Sequence, residues 1–439
     1  MGVRNSVYCS RASFLLLVTA FTLLMATAFA GCTSGVRLPD NAAADYRKRA
    51  QSRTDDGLRV TTSVLSANES LDVYGVPLAT RGIQPVWVEV ENSEDLAYWL
   101  LSPSLDPDFF PASEAAEAFA RDGDTQDLQS RFNRLAFRNP VPAGTTVSGF
   151  VLTNRDEGVK MVHLDLVNGQ DLKSFSTLHE VPGFLADYHA QSFHDLYTPE
   201  SFTDFSDLAE LRAALAALPC CVSNRRGTRF GDPLNLVIIG GIDDAFAALV
   251  RRGWRPTERT WWGSVIRMVN SALAGERYPY APVSPLYFYG RRHDLALQKA
   301  RDNIHQRNHL RLWLSPMRYR GKSVWVGQIS RDIGSRLTIH SPYLTTHKID
   351  PNVDEARVAL TEDLAYSQNL VAIGLVTGVG AATRDAPREN LTRDPYYTDG
   401  FRIVLVFDPR TTSLDEIDFL PWEQPSDGFL DPNRTPESR

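Results

Sequence analysis

The sequence has few cysteines, no surplus of positive charge and only one long apolar run. Four cysteines in 439 residues are too few for a disulfide-stapled scaffold. Lys and Arg number 46 against 53 Asp and Glu, and the net charge of −7 disfavours nucleic-acid binding, which needs cations to neutralise phosphates. A single apolar run disfavours a multi-span membrane protein. A content of 43% hydrophobic and 23% charged residues instead indicates a folded globular chain.

The N-terminus has the layout of a secretory signal. Arg4 and Arg11 precede the apolar run Ser13–Ala30, and small residues follow before Cys32. A positive segment, an apolar segment and small residues at a cleavage point are typical of an exported protein. The alternative is an uncleaved transmembrane anchor, because roughly 18 apolar residues are just enough to cross a bilayer.

The end of this signal, Phe-Ala-Gly-Cys at positions 29–32, resembles the lipobox of bacterial lipoproteins, with Phe29 where Leu is usual. The resemblance implies cleavage before Cys32 and attachment of fatty acyl chains such as palmitate to this residue. Several acyl chains would fix a water-soluble body to a membrane. Thr33 replaces the Asp that commonly retains lipoproteins at the inner membrane, so we expect the outer membrane of the cell envelope if the cell has one.

Beyond the signal, the predicted secondary structure changes along the chain from mainly strands to a mixture of strands and helices. Val86, Val88 and Val90 alternate with larger or charged residues, and turn residues separate further short β-rich runs. We therefore predict two domains, an all-β sandwich of Ig-like character and an α+β mixed-sheet domain. The predicted segments are a signal peptide (1–31), a flexible tether (32–57), the β-sandwich (58–185), a helical connector (186–229), the α+β domain (230–408) and an acidic, proline-containing tail (409–439).

Two adjacent cysteines precede the second predicted domain. Cys220 and Cys221 follow Leu-Pro, and Cys9 and Cys32 belong to the signal region. An oxidising compartment favours disulfides. Three states stay open from the residues alone: two reduced or buried thiols, a vicinal disulfide and an intermolecular role.

Five motifs between about residues 231 and 380 carry a family resemblance. They are DPLNLVIIGG, YAPVSPLYFYGRRHDLALQKA, RNHLRLW, VWVGQISRDIG and THKIDPNVDEAR. In this order and spacing they resemble the LssY C-terminal domain family. Relatives carry this domain alone or fused to integral-membrane modules of phosphatidic-acid-phosphatase or DedA type. The resemblance implies that the domain functions close to a membrane, but it does not imply a particular reaction.

Polar residues that could bind a ligand or take part in a reaction lie within these motifs. His309, Arg311 and Trp313 alternate with leucines, so on a strand they share one face. Histidine titrates near neutral pH, and arginine binds oxyanions through paired N–H groups. The candidate catalytic or metal-binding residues are His309, Asp332, His340 and His347, and the candidate ligand contacts are Arg311, Trp313 and Arg331.

Structural roles are the alternative for the same region. Asp350 and Asp354 suit the start of a helix, where carboxylates favour the positive end of the dipole. No local metal motif such as HExxH occurs, so neither a metal nor another cofactor can be named. Between residues 291 and 336, eleven basic residues stand against three acidic ones. This segment is either a solvated surface with scattered ion pairs or a face for an anionic partner.

Three functions follow as hypotheses. The leading one is a lipid-anchored cell-envelope protein whose LssY-like domain binds an anionic or lipidic ligand or an envelope protein. The alternative is a hydrolase that acts on phosphate or acyl esters near the membrane through a metal or a His/Asp site. The third is an architectural lipoprotein with neither site.

Overall fold

A computed structural model describes residues 46–120, 125–181, 186–190, 195–259, 280–300, 307–337 and 345–424, all of which belong to the unit Ala44–Arg439. Cys32 and the predicted signal lie outside these residues. Strands account for 42% and helices for 23% of the described residues, so the β-rich character predicted from the sequence is confirmed.

Seven strands in the first part of the chain form two antiparallel sheets. Their bounds are β1 (Gln51–Asp55), β2 (Leu58–Val64), β3 (Ile83–Asn92), β4 (Trp99–Leu101), β5 (Thr145–Asn154), β6 (Val159–Val167) and β7 (Leu172–Glu180). One sheet has the order β1-β2-β3-β5 and the other β4-β6-β7. Val86 and Val88 of the first sheet share an apolar core with Leu164 and Phe175 of the second. The alternating valines thus lie on the face of β3 that packs against the second sheet.

The other face of the four-stranded sheet is also covered. Three helices lie there, α1 (Ala67–Tyr74), α2 (Ala112–Glu117) and α3 (Thr125–Leu135). Trp87 and Phe150 of the sheet form a second core with residues of these helices, such as Tyr74. The fold begins earlier than expected, because β1 falls within the predicted tether.

The remaining strands in the described part of the chain are mostly short, apart from two long neighbours in the middle. Their bounds are β8 (Thr203–Phe205), β9 (Cys221–Ser223), β10 (Phe230–Pro233), β11 (Leu236–Ile239), β12 (Arg255–Pro256), β13 (Tyr287–Phe288), β14 (Arg291–Arg292), β15 (Leu295–Ala300), β16 (Arg307–Tyr319), β17 (Lys322–Leu337), β18 (Thr345–Ile349), β19 (Leu370–Val376), β20 (Arg388–Glu389), β21 (Pro395–Tyr396), β22 (Arg402–Phe407) and β23 (Asp418–Phe419). The helices are α4 (Leu208–Ala216), α5 (Ala247–Arg251) and α6 (Val353–Ala365).

A mixed ten-stranded sheet organises this second part. Its main order is β12-β15-β16-β17-β11-β22-β19-β23, with β8 beside β16 and β18 beside β17. Strands β11 and β22 run parallel, whereas β15, β16 and β17 are antiparallel neighbours. Short strands form a smaller sheet of order β10-β9-β13-β14. Strands β16 and β17 extend well beyond the motifs RNHLRLW and VWVGQISRDIG that they contain.

Each face of the large sheet contributes to an apolar core. Leu310 and Leu312 of β16 pack with Leu249 of α5 and Leu360 of α6. Val159 at the start of β6 joins the same core, which therefore connects the first sheets with the second. Leu211 and Leu215 of α4 belong to a different core with apolar residues of β11, β17 and β22.

Two features complete the fold. Cys220 and Cys221 form a vicinal disulfide at the start of β9, which decides among the three states that the sequence left open. The first part of the predicted tail is attached to the sheet, because β23 pairs with β19 and Glu423 accepts hydrogen bonds from Arg212 of α4.

Candidate functional site

One surface of the central strands is polar although it is buried. In the register of β15, β16 and β17, His309 lies opposite both Gln298 and Ser330, and Arg311 lies opposite Gln328. Residues directly opposite one another in antiparallel strands share a face. This polar face consists of Gln298, Arg307, His309, Arg311, Gln328, Ser330 and Asp332, each at most 9% exposed.

His309 and Asp332 form a close pair on the polar face. Their Nε2 and Oδ2 atoms are 2.6 Å apart, and both residues are buried. Burial lowers the pKa of His309 although Asp332 opposes the shift, so the imidazole is neutral at neutral pH. An ionised carboxylate only accepts hydrogen bonds, which places the imidazole proton on Nε2. A neutral imidazole oriented by a carboxylate is the arrangement that general-base catalysis uses.

Arg311 is the neighbouring cation. Its Nε donates to the carbonyl oxygen of Ser284 at 3.2 Å, and its Nη1 donates to Oε1 of Gln328 at 3.0 Å. Among the described residues no carboxylate lies within ion-pair distance of Arg311; Asp232, Asp332 and Asp187 act on its charge from farther away. Burial lowers the pKa of the guanidinium. Arg311 is therefore a 9%-exposed cation held by neutral acceptors.

Gln328 adds a donor beside this cation. Its Oε1 is used by Arg311, while its Nε2 is buried and has no hydrogen-bond partner in the described part of the protein. An unsatisfied buried polar group costs about 1–3 kcal/mol and calls for an explanation. Arg311 and Gln328 thus present N–H groups suited to an oxygen acceptor.

A second His–Asp pair lies near Arg311. Asp187, in the connector before α4, accepts a hydrogen bond from His293 Nε2 at 2.9 Å and from Arg292 Nη2 at 2.6 Å. The His293 ring packs edge-on against Trp313, with 6.3 Å between ring centroids. Burial lowers the pKa of His293 to about 4, so this imidazole is also neutral.

Sequence comparison matches residues 215–401 to the family described as LssY C-terminus. This part of the chain is an LssY C-terminal domain. The predicted family is confirmed, and the match extends beyond the predicted range 231–380 on both sides. The polar face lies entirely within the LssY domain, whereas Asp187 precedes it. None of the curated proteins matches the chain.

Two of the predicted ligand contacts have other roles in the LssY domain. Trp313 is fully buried and packs against Phe288, and its indole N–H donates to the carbonyl oxygen of Arg291. It therefore supports the site from the core and has no surface for a ligand. Arg331 points to the opposite face from Asp332 and donates to Glu355 at 2.8 Å. It does not join Arg311.

The predicted histidine cluster is only partly described. His340 lies outside the described residues, and so does the side chain of His347, whose backbone pairs with Ser335. Asp350 accepts a hydrogen bond from the nearby backbone N–H of Asn352, and Asp354 accepts one from the backbone N–H of Asp399, 45 residues away in sequence. Within the described ranges no group of three or more His, Cys, Asp or Glu side chains is arranged to hold a metal ion.

Four of the basic residues between 291 and 336 form ion pairs with acids from elsewhere in the chain. The ion pairs that show this are Arg292–Asp187, Lys299–Asp363, Lys322–Asp408 and Arg331–Glu355. Arg318 instead stacks over the ring of Phe202. These five basic side chains are therefore held by contacts within the protein. In the described part of the chain, no helix has the length and apolar character that a membrane crossing requires.

Several site residues were missed by sequence reasoning. Gln328 could have been found, because it alternates with Ser330 and Asp332 in the same strand motif. His293 lies in the family motif GRRHD, and nothing in that motif indicates its partner. Asp187 could not be assigned to this site from the sequence, since it lies 106 residues before its histidine partner.

Proposed function

We propose that the LssY domain binds an oxyanion ligand on its polar face, with Arg311 as the anion-binding group. The observation that carries the proposal is the bonding of Arg311, a buried guanidinium whose hydrogen bonds go to the neutral oxygens of Ser284 and Gln328. A buried charge without a directly paired countercharge is costly. An oxyanion beside Arg311 and Gln328 Nε2 would compensate both groups.

The surrounding charges leave room for an anion. Asp187 is already paired with Arg292. Burial raises the pKa of Asp232, so this group takes up a proton more readily than an exposed aspartate. Asp332 is engaged by His309. None of these three carboxylates contacts Arg311 directly, so a ligand oxyanion would not displace an existing ion pair of that residue.

The test is a calorimetric titration of the full chain with inorganic phosphate. Arg311→Gln removes the cation, and we expect a loss of affinity of about 10- to 100-fold, as for a charged hydrogen bond worth roughly 1.5–3 kcal/mol. Arg331→Gln is the matched control, because Arg331 lies on the opposite face of the same sheet and pairs with Glu355. Unchanged affinity in Arg311→Gln, or no binding by the wild type, would refute the proposal.

A second candidate is hydrolysis of phosphate or acyl esters at the same face. It is favoured by the 2.6 Å contact between His309 and Asp332, which fits a general base and its orienting carboxylate. The assay compares 4-nitrophenyl phosphate with 4-nitrophenyl butyrate. We expect Asp332→Asn and His309→Gln to abolish turnover and Arg331→Gln to retain it. Absence of wild-type turnover on both esters would rule out this candidate.

We also propose that acyl chains on Cys32 attach the protein to the exported side of a bacterial envelope membrane, the outer membrane where one exists. The basis is the signal sequence and its small-residue end. Metabolic labelling with palmitate, followed by mass spectrometry of the mature N-terminus, tests it. A Cys32→Ser variant should lose both label and membrane association. An unmodified Cys32 thiol in membrane-free material would contradict it.

The finer layout is likewise a proposal: strands β1–β7 correspond to an Ig-like sandwich that forms a domain of its own and packs on the LssY domain through Val159. It is supported by the shared core between their two sheets. Limited proteolysis of the full chain should then cut first in the connector 186–229. Cleavage that begins within β1–β7 would argue against it.

A further inference from the structure

We infer that the ligand of the LssY domain carries a hydroxyl group next to its oxyanion, and that His293 accepts the hydrogen bond from this hydroxyl. The inference rests on the proposed anion site at Arg311 and specifies the class of molecule that the site takes.

The protonation of His293 follows from its partners. Asp187 Oδ2 lies 2.9 Å from Nε2, and the Asp187 carboxylate also forms an ion pair with Arg292. Because a carboxylate accepts hydrogen bonds, the neutral ring carries its proton on Nε2 and presents Nδ1 as an acceptor. Nδ1 is buried and has no hydrogen-bond partner in the part of the protein that the structure describes. The ring is therefore fixed on one side and unsatisfied on the other.

His293 belongs to the surroundings of Arg311. Its ring packs on Trp313, which follows Arg311 by two residues on the same face of β16. The charge of Arg311 is also among the causes that lower the pKa of His293, after burial, which is the largest. The unsatisfied acceptor His293 Nδ1 and the unsatisfied donor Gln328 Nε2 thus both belong to the surroundings of Arg311.

These groups define a chemical pattern for the ligand. Arg311 and Gln328 Nε2 are donors and match the oxygens of an anion, whereas His293 Nδ1 is an acceptor and matches an O–H group. A plain anion leaves His293 unsatisfied, and a plain alcohol leaves the donors unsatisfied. A phosphate ester or a carboxylate with a hydroxyl on a neighbouring carbon satisfies all three. The two anions share this chemistry and must be separated by experiment.

The experiment titrates the full chain with two matched pairs of ligands, glycerol phosphate against methyl phosphate and glycerate against acetate. We expect the hydroxylated member to bind about tenfold more tightly in at least one pair, because leaving a buried acceptor unpaired costs roughly 1–3 kcal/mol. The pair that shows the preference identifies the anion as phosphate or carboxylate.

Two variants of His293 assign the preference to Nδ1. His293→Gln places an amide near the former Nε2 and keeps the bond to Asp187, but it lacks an acceptor at Nδ1. His293→Asn places its amide oxygen near the former Nδ1. We expect His293→Gln to bind methyl phosphate like the wild type and to lose the tenfold preference, whereas His293→Asn retains most of it. Circular dichroism confirms that both variants fold.

The outcomes separate this inference from the proposed function. Equal wild-type affinity for hydroxylated and plain anions would overturn the role of His293 and leave the anion site at Arg311 standing. A preference that persists in His293→Gln would do the same. Failure of all four ligands to bind would overturn the anion site itself.

Discussion

Replacing Arg402 with methionine should destabilise the protein strongly. Arg402 is fully buried, and within the described residues its guanidinium donates only to backbone carbonyl oxygens. These belong to Leu215, Leu218, Pro219, Leu234, Thr377 and Gly378. Burial lowers the pKa of Arg402 to about 10, so the group is still charged at neutral pH. One cation thus joins the end of α4, the start of β11 and the end of β19.

The expected loss follows from these contacts. A hydrogen bond to a charged group contributes about 1.5–3 kcal/mol, and several of them around one buried cation are not additive. Methionine fills much of the volume but leaves the carbonyl oxygens without their donor. We expect the free energy of unfolding to fall by about 3–5 kcal/mol, as when one partner of a buried charged network is removed.

Guanidinium chloride unfolding, followed by circular dichroism, measures the loss. Arg410→Met is the matched control, because the Arg410 side chain is 89% exposed and pairs only with Asp408 at the surface. Its free energy of unfolding should change by less than about 0.5 kcal/mol. A loss below about 1 kcal/mol in Arg402→Met would refute the view that this cation holds the three elements together.

Three further predictions concern stability and the disulfide. Burial lowers the pKa of His179 from 6.5 to about 4, so the unfolded chain binds this proton first and stability falls as the pH drops from 7 to 4. This proton contributes about 3 kcal/mol to the free energy of unfolding over that range, at 1.36 kcal/mol per pH unit. His179→Gln should therefore flatten the pH dependence of urea unfolding. An unchanged slope would contradict the lowered pKa of His179. Cys220 and Cys221 should resist alkylation by iodoacetamide until a reductant is added, as read by peptide mass spectrometry, whereas labelling of the untreated protein would show free thiols. Gly149→Ala should cost about 2 kcal/mol or more in thermal unfolding, because a Cβ would lie 2.5 Å from the backbone of Phe137, and a variant as stable as the wild type would show that β5 can move away.

Much of the fold could be predicted from local pattern. Alternating valines indicated β3, and a continuous apolar run indicated β11, because a strand buried on both faces has no polar positions. The extents of β16 and β17 could not be predicted, since their polar residues are satisfied by neighbouring strands. Local alternation does not show what covers the other face of this sheet, where Trp87 is buried beneath helices.

Part of the candidate site could also be predicted from the alternation of residues along a strand. Alternation placed His309 and Arg311 on one face, and Asp332 was the correct carboxylate to consider beside them. The same alternation could not show that Trp313 is buried, because the polar face passes into an apolar core along β16. The local sequence indicates neither the Arg331–Glu355 pair nor the Asp187–His293 pair, since tertiary packing alone brings these residues together.

The most direct test of the central proposal is the side-chain NMR signal of Arg311 during a phosphate titration. The Nε–H resonance, assigned by its loss in Arg311→Gln, should shift progressively and saturate as phosphate is added, while the corresponding resonance of Arg331 stays in place. An Arg311 resonance that does not move at saturating phosphate, or that moves no more than that of Arg331, would contradict the assignment of Arg311 as the anion-binding group.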